Sequence, residues 1–385
     1  MQNVTDTVRY VGIYDRDIRL FEGQYTVPDG MAYNSYVILD EKIAVMDSVE
    51  IRFGEKWLKN IKNVLGDKTP DYLIVQHMEP DHSANVDLFM KTYPEAKIVS
   101  SAKAFNMMKN FFGTDYPDRK ITVGEGSSLS LGNRTLSFLA APMVHWPEVI
   151  LTYDNKDKIL FSADAFGRFG SNEKYEDWKS EARRYYIGIV AKYGAQVQTV
   201  LKKAADLDIE KILPLHGEVL TDNLGYYIGL YDLWSKYMPE TKGVAIIYTS
   251  VYGHTKKATE LLAENLKTLN ETQIELFNLS SCDVAEAVAA AFRYDRIVLA
   301  STTYNMDVFP FMRDFLERLT ERNFKNRKIA LIENGSWAPN AAKVMQTILE
   351  KCTGLEFCQN TVKILSSLSE QNKTEILSLA KELTE

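Results

Sequence analysis

Short apolar runs, each broken by turn-forming polar residues, fill most of the first 240 positions. Runs of this kind, rich in Val, Ile, Leu and Tyr, predict buried strands. Tyr36-Val37-Ile38-Leu39, a turn at Asp40-Glu41-Lys42, and Ile43 to Asp47 read as a hairpin. A helix is expected over Trp57 to Val64, a strand over Tyr72 to Val75, a helix over 83 to 91 and a strand over Ala96 to Val99. The helix predicted at Ala102 to Phe112 stops at Gly113, a usual C-terminal signal. A strand at 135 to 140 and a hairpin of Val149 to Tyr153 with Ile159 to Asp164 follow. Next come a helical stretch from Trp178 to Leu207 and a strand at Lys211 to Leu213. Past the polar junction Pro239 to Gly243 the pattern changes. Strands at 244–248, 274–277, 296–300 and 328–332 alternate with helices, one carrying Ala258, Leu261, Leu262 and Leu266 and others near 283–293, 309–321, 339–350 and 370–384. Such alternation predicts a doubly wound parallel sheet, which binds ligands off the carboxyl ends of its strands. The reading is two domains, 1–241 and 242–385.

Composition adds bounds. With 385 residues, 45% of them hydrophobic, the chain is long enough for two cores. Its 45 basic and 52 acidic residues give a net charge of -7 without long single-sign runs, which argues against nucleic-acid binding. The polar start and the lack of a long apolar run predict neither signal peptide nor membrane span, so a cytoplasmic location is expected. Cys282, Cys352 and Cys358 form no CxxC pair. That excludes a built-in rubredoxin-type or zinc-ribbon site and predicts free thiols in a reducing compartment.

The densest chemistry lies directly after the Tyr72–Val75 run, where His77, Glu79, Asp81 and His82 fall within six positions. Four of the five histidines, His77, His82, His145 and His216, follow predicted strands, and Asp164 ends another. A lone histidine is usually a satisfied core residue; four at strand ends with three carboxylates predict a site for one metal or two adjacent ones. So many carboxylates make the donor set hard, favouring iron or manganese over a histidine-rich zinc site. A second site is predicted where the strand at 244–248 runs into Ser250, Val251, Tyr252, Gly253, His254 and Thr255 ahead of a helix. Free amides at a helix start, joined by hydroxyls, seat a phosphate. The loop matches neither GxGxxG nor GxxxxGKS, which disfavours dinucleotides and nucleoside triphosphates.

The HMEPDH motif, His145, Asp164 and His216 resemble the metallo-β-lactamase superfamily, and Glu79, where the hydrolases of that superfamily carry histidine, resembles the flavodiiron proteins. The second domain resembles flavodoxin. The resemblance implies an α/β chain with an α+β N-terminal domain: an αββα metallo-β-lactamase-like sandwich followed by a flavodoxin-like doubly wound parallel sheet. It implies two iron ions, one held by His77, Glu79 and His145 and the other by Asp81 and His216, with Asp164 bridging. His82 ligates in some relatives and turns away in others. Tyr193 is a candidate hydroxyl beside the site, although a plain core tyrosine is the blander reading. The interval from Asp164 to His216 is short for the family, which implies a trimmed loop or helical turn nearby.

Flavin mononucleotide (FMN) is the implied second cofactor. Its phosphate would lie at Ser250 to Thr255. Its ring would lie between Ser301, Thr302, Thr303, Tyr304 and Asn305 on one loop and Asn334, Gly335, Ser336 and Trp337 on another, with Tyr304 or Trp337 covering a face. The implied activity is reduction of dioxygen to water, of nitric oxide to nitrous oxide, or both. An external donor such as rubredoxin or a reduced deazaflavin would feed a head-to-tail homodimer or a tetramer. Two alternatives compete: a zinc-dependent hydrolase, and a non-catalytic flavin electron carrier or sensor.

Overall fold

The computed structural model describes residues 3–171 and 177–385. The chain divides into one unit of Met1–Tyr186 with Ala195–Asp232 and another of Ile187–Gly194 with Leu233–Glu385.

Two sheets form the first unit. One has six strands in the order Val8–Tyr10, Tyr36–Ile38, Ala44–Met46, Tyr72–Ile74, Lys97–Ser101 and Lys120–Val123. The other has five, in the order Ser128–Ser130, Thr135–Ala140, Ile150–Asp154, Ile159–Phe161 and Lys211–Leu213. Alternation of side chains along each strand puts Ile38, Met46, Ile74 and Val99 of one sheet in a single buried cluster with Phe138, Ile150, Phe161 and Leu213 of the other. On the outer faces, Trp57 and Ile61 of the helix Gly54–Leu65 and Phe105 and Met108 of Ala102–Phe112 are buried. Helices outside two facing sheets make the αββα sandwich that the sequence resemblance implies.

The second unit is a parallel sheet in the order Ile274–Asn278, Thr241–Tyr248, Tyr294–Tyr304, Arg327–Asn334. Its fifth position is shared by two short strands, Leu355–Phe357 and Val362–Ile364, both parallel to Arg327–Asn334. The helices His254–Thr268 and Glu370–Thr384 cover one face with Leu262, Leu266, Leu379 and Leu383. Among the described residues no helix is long and apolar enough to cross a membrane.

Several elements differ from the sequence expectations. The helix expected at 83–91 is two short pieces, Pro80–Ser83 and Val86–Thr92. The stretch expected from 178 to 207 is the helix Trp178–Tyr185, a π-helical turn Tyr186–Val190, a 3-10 turn Ala191–Tyr193 and the helix Gly194–Ala204. Its middle, Tyr-Ile-Gly-Ile-Val, consists of weak helix formers, and regular winding fails there. The helix Leu224–Ser235 was not expected, because its apolar residues lie on every side and leave no amphipathic period.

Candidate functional site

All seven candidate ligands of the first unit converge at the carboxyl ends of strands. His77 and Glu79 stand in the loop after Tyr72–Ile74, and Asp81 and His82 in the turn Pro80–Ser83. Pro80 at the first helical position needs no amide partner and presets the turn, so Asp81 and His82 leave the loop in a fixed direction. The strands Thr135–Ala140, Ile159–Phe161 and Lys211–Leu213 deliver His145, Asp164 and His216. The last is followed by Gly217 at φ 82, where an added Cβ would stand 2.7 Å from Arg168 Cγ, so only glycine lets the chain turn there.

The ligand atoms form two sets. His77, Glu79, His145 and Asp164 make one; Asp81, His82 and His216 make the other. Asp164 is shared between them. Its Oδ2 lies 3.0 Å from His145 Nε2 and 3.3 Å from His77 Nε2, while its Oδ1 lies 3.3 Å from His82 Nε2 and 3.7 Å from His216 Nε2. Glu79 Oε2 sits 3.3 Å from His77 Nε2 and 3.1 Å from His145 Nε2, closing the first set. Asp81 Oδ2 stands 3.3 and 3.4 Å from the Nε2 atoms of His82 and His216, closing the second. The two Asp81 oxygens and Asp164 Oδ1 are buried without a hydrogen-bond donor among the described residues. Unpaired carboxylate oxygens in a buried site cost free energy unless a cation meets them. A donor set of nitrogens and carboxylates with one carboxylate shared fits two adjacent hard-to-borderline cations.

Residues behind the ligands hold some of them and not others. The His77 Nδ1–Glu148 Oε1 distance is 2.8 Å, and Glu148 Oε1 also accepts from the Met78 amide. His216 Nδ1 lies 2.7 Å from the Ala32 carbonyl oxygen. Such outer hydrogen bonds turn Nε2 toward a metal. His82 Nδ1 has no partner among the described residues, although Ser48 fixes the His82 carbonyl. Asp47 braces the loop by accepting from the Gln76 amide and side chain at 2.7 and 2.9 Å.

Charge balance follows from this crowding. Burial alone would lower the His145 imidazole, yet its hydrogen bonds to Asp164 and Glu79 hold it up to about 9. Burial raises Asp81 to about 7, with the Glu79 and Asp164 charges adding to the rise against His82. Burial would also raise Asp164, but His77 and the surrounding imidazoles hold it well below the carboxylate range. Burial and His82 push His216 down to about 4. The cluster without cations is thus a proton store whose members hold each other's charge.

Aromatic rings wall the site. Trp146 meets the His77 ring edge-on at 5.2 Å, and Phe21 and Tyr185 lie 5.6 and 5.4 Å from the His216 ring. Burial and the charge of Asp164 raise the Tyr185 phenol well above its ordinary value, so it keeps its proton. Tyr185 and Tyr33 pack on the His216 ring, Tyr33 at 6.1 Å; Tyr193 has no such contact among the described residues. Tyr193 is half-buried on the 3-10 turn Ala191–Tyr193, beyond the π-helical turn that resets which side chains face inward. Glu148, Asp47 and Tyr185 carry no motif, and only the fold singles them out.

In the second unit a cavity of about 650 Å³ opens off the strand ends. Ser250, Val251, Tyr252, His254 and Thr255 line it from one loop, Thr302, Thr303, Tyr304 and Asn305 from the next, and Asn334, Gly335, Ser336 and Trp337 from the third. Two expected residues do not line it. Ser301 is buried and hydrogen-bonded to Thr249 at 3.1 Å, and Gly253 forms the left-handed start of the helix His254–Thr268. Gly253 gives that helix no side-chain cap and Ser250 Oγ accepts the Lys256 amide at 3.2 Å, which leaves the His254 and Thr255 amides to an anion. Tyr252 and Trp337 are 90% and 87% exposed, unusual for rings of that size unless a planar partner covers them. Ser366, also in the lining, follows the unexpected strand Val362–Ile364 and is tied to Asn334 at 3.0 Å.

Known proteins resemble both units. A family model described as an ODP family beta lactamase matches residues 31–217, and one described as a flavodoxin domain matches residues 245–371. An uncharacterized protein of Methanocaldococcus jannaschii is 30% identical over 81% of this chain and 80% of its own length. A nitric oxide reductase of Moorella thermoacetica is 28% identical over 90% and 89%. Among solved structures, rubredoxin oxygen:oxidoreductase of Desulfovibrio gigas superposes with a TM-score of 0.92 at 25% identity, covering 99% of this chain and 97% of that one. The flavodiiron protein of Giardia intestinalis gives 0.88 at 26%, covering 100% and 96%.

Proposed function

This chain belongs to the flavodiiron family, and from that membership we propose that it is an oxidoreductase reducing dioxygen to water, nitric oxide to nitrous oxide, or both. Its cofactors are FMN and a pair of iron ions. One observation carries the reading: the two oxygens of Asp164 face different ligand sets, the arrangement a bridging carboxylate needs. His77, Glu79 and His145 are assigned to one iron, Asp81, His216 and His82 to the other. When bound, the iron pair supplies two electrons and Lewis acidity and the reduced flavin two more electrons, matching the four that dioxygen takes up. The side chains supply the geometry. Glu148 and the Ala32 carbonyl aim two imidazoles, and the protonated Tyr185 and the ring of Trp146 close the pocket against water. The anionic share of the ligand set, larger than in the histidine-rich hydrolases, sets it apart from the zinc hydrolase alternative.

The assembly belongs to the same proposal. Residues 1–241 and 242–385 act as a metal domain and a flavin domain, paired head to tail in a homodimer, with electrons arriving from rubredoxin or a reduced deazaflavin. The three cysteines, free and half-buried, suit a reducing cytoplasm. Metal and flavin analysis of the purified protein, followed by anaerobic reduction and stopped-flow mixing with each gas, tests the activity. Two irons and one flavin per chain with rapid flavin reoxidation are expected; zinc without flavin, or a loaded protein inert to both gases, would refute it.

A further inference from the structure

Behind the metal centre lies a space that the ligand chemistry does not use. Residues Leu151, Leu160 and Ile212 alternate with core residues along the second sheet and point away from the inter-sheet core, toward the helix Gly194–Ala204. Between that sheet face and Val197, Val200 and Ala204 of the helix is a cavity of about 110 Å³. Its lining is apolar apart from Tyr231, whose hydroxyl accepts the Phe166 amide at 2.6 Å. The space is open at its rim, where Ala205 is exposed, but its lining offers water almost no hydrogen-bond partner and favours a small apolar guest such as xenon.

Chain neighbours of two candidate ligands border the cavity. Val144, which precedes His145, and Ala165 and Phe166, which follow Asp164, form part of its wall. Phe166 holds φ 67, a conformation rare for a bulky side chain, and its ring packs on Tyr231 at 4.3 Å. Tyr231 thus holds Phe166 twice, by its hydroxyl on the backbone and by its ring on the side chain.

We propose that this cavity is a holding site for a small apolar diatomic gas, dioxygen or nitric oxide, from which molecules pass between Val144 and Phe166 to the metal pair. The proposal rests on the gas-reducing activity above. An apolar diatomic gains by leaving water for an apolar recess, whereas ions and water do not. For nitric oxide a reservoir has a further use, since forming one nitrous oxide joins two molecules and the second must be at hand.

Xenon tests the site and kinetics test the use. Crystals of the holoprotein under xenon pressure should show a bound atom among Leu160, Val200 and Tyr231. Ala204→Phe, and the milder Ala204→Leu if the first fails to fold, should abolish that xenon site. With iron and flavin content unchanged, each should lower the second-order rate of reoxidation by gas several-fold and leave the gas-saturated rate intact. A xenon-free cavity in the wild type, or a folded and fully loaded filled variant that reacts with gas at the wild-type second-order rate, would overturn the proposal. A loaded wild-type protein inert to both gases would instead overturn the activity, and xenon occupancy would then decide on the cavity alone.

Discussion

Glu148 lies 2.8 Å from His77 Nδ1 through the same oxygen that accepts the Met78 amide, so one buried carboxylate sets both the ring and the backbone of the first ligand. Both side chains are fully buried. Glu148→Gln keeps the volume and removes the charge that favours Nδ1–H. Metal affinity should fall about 10- to 100-fold with flavin content unchanged, as read by anaerobic competition against a chelator. Wild-type affinity in that variant would show that Glu148 is only a packing residue.

Asp164→Ala should cost the protein both metals while sparing the flavin. Neither ligand set keeps a shared carboxylate in that variant, and two like charges lose the group between them. Elemental analysis beside the flavin absorbance decides, and two irons retained per chain would exclude the bridging role.

His82 and His216 face the same cation position with their Nε2 atoms 3.0 Å apart, but only His216 has an outer partner for Nδ1. An unheld ring loses more freedom on binding and contributes less. His82→Ala should therefore lower occupancy of the second metal less than His216→Ala does, in iron per chain after identical reconstitution. The reverse order would mean that the free ring is the stronger ligand.

The protons stored in the cation-free cluster give a pH dependence. His145 at about 9 and His77, held against burial well above its ordinary value by Asp164, carry protons at neutral pH. His82 is raised against burial by Asp81 and Asp164, and Asp81 at about 7 is half protonated, so a cation must displace these protons. Uptake of ferrous ion by the metal-free protein should release roughly two to four protons per metal pair near pH 7. Affinity should then weaken as pH falls through these values, because the protonated form of each group is the one that cannot ligate. Indicator dye in weak buffer reads the release, and none at all would mean that the ligands are already deprotonated.

Trp337 offers a direct probe of the flavin cavity. If its ring covers the flavin, FMN should quench tryptophan fluorescence during titration of the flavin-free protein. Trp337→Ala should then raise the dissociation constant about 2- to 13-fold, in line with roughly 0.5–1.5 kcal/mol for an aromatic pair beyond its buried area. An unchanged constant would place the ring of the flavin elsewhere in the cavity.

The clustering of the candidate ligands was legible in the sequence because strand ends announce themselves: an apolar run stops, and a histidine or carboxylate follows. Repeated at 77, 145, 164 and 216, that pattern is hard to produce by packing alone. The three loops that line the cavity of the second unit were legible for the same reason. Glu148 was not, since it stands at the start of a strand in an unremarkable Trp-Pro-Glu-Val, and it becomes significant only when two sheets bring it beside His77, 71 positions earlier. Tyr185 is one of 21 tyrosines, and choosing it over Tyr193 requires the π-helical turn between them, which no periodicity reveals. The helix Leu224–Ser235 and the divided fifth strand were missed because tertiary burial, rather than local pattern, makes them.

The ligands enter the chain at 77 and are complete only at 216, drawn from strands of both sheets. A ribosome must therefore release nearly the whole metal domain before iron has a finished seat, and an unfinished chain offers at best the set around His77. The loops lining the flavin cavity run only from Ser250 to Ser366. Maturation should follow suit, with iron arriving late, after the two sheets have closed, and flavin entering on a separate schedule.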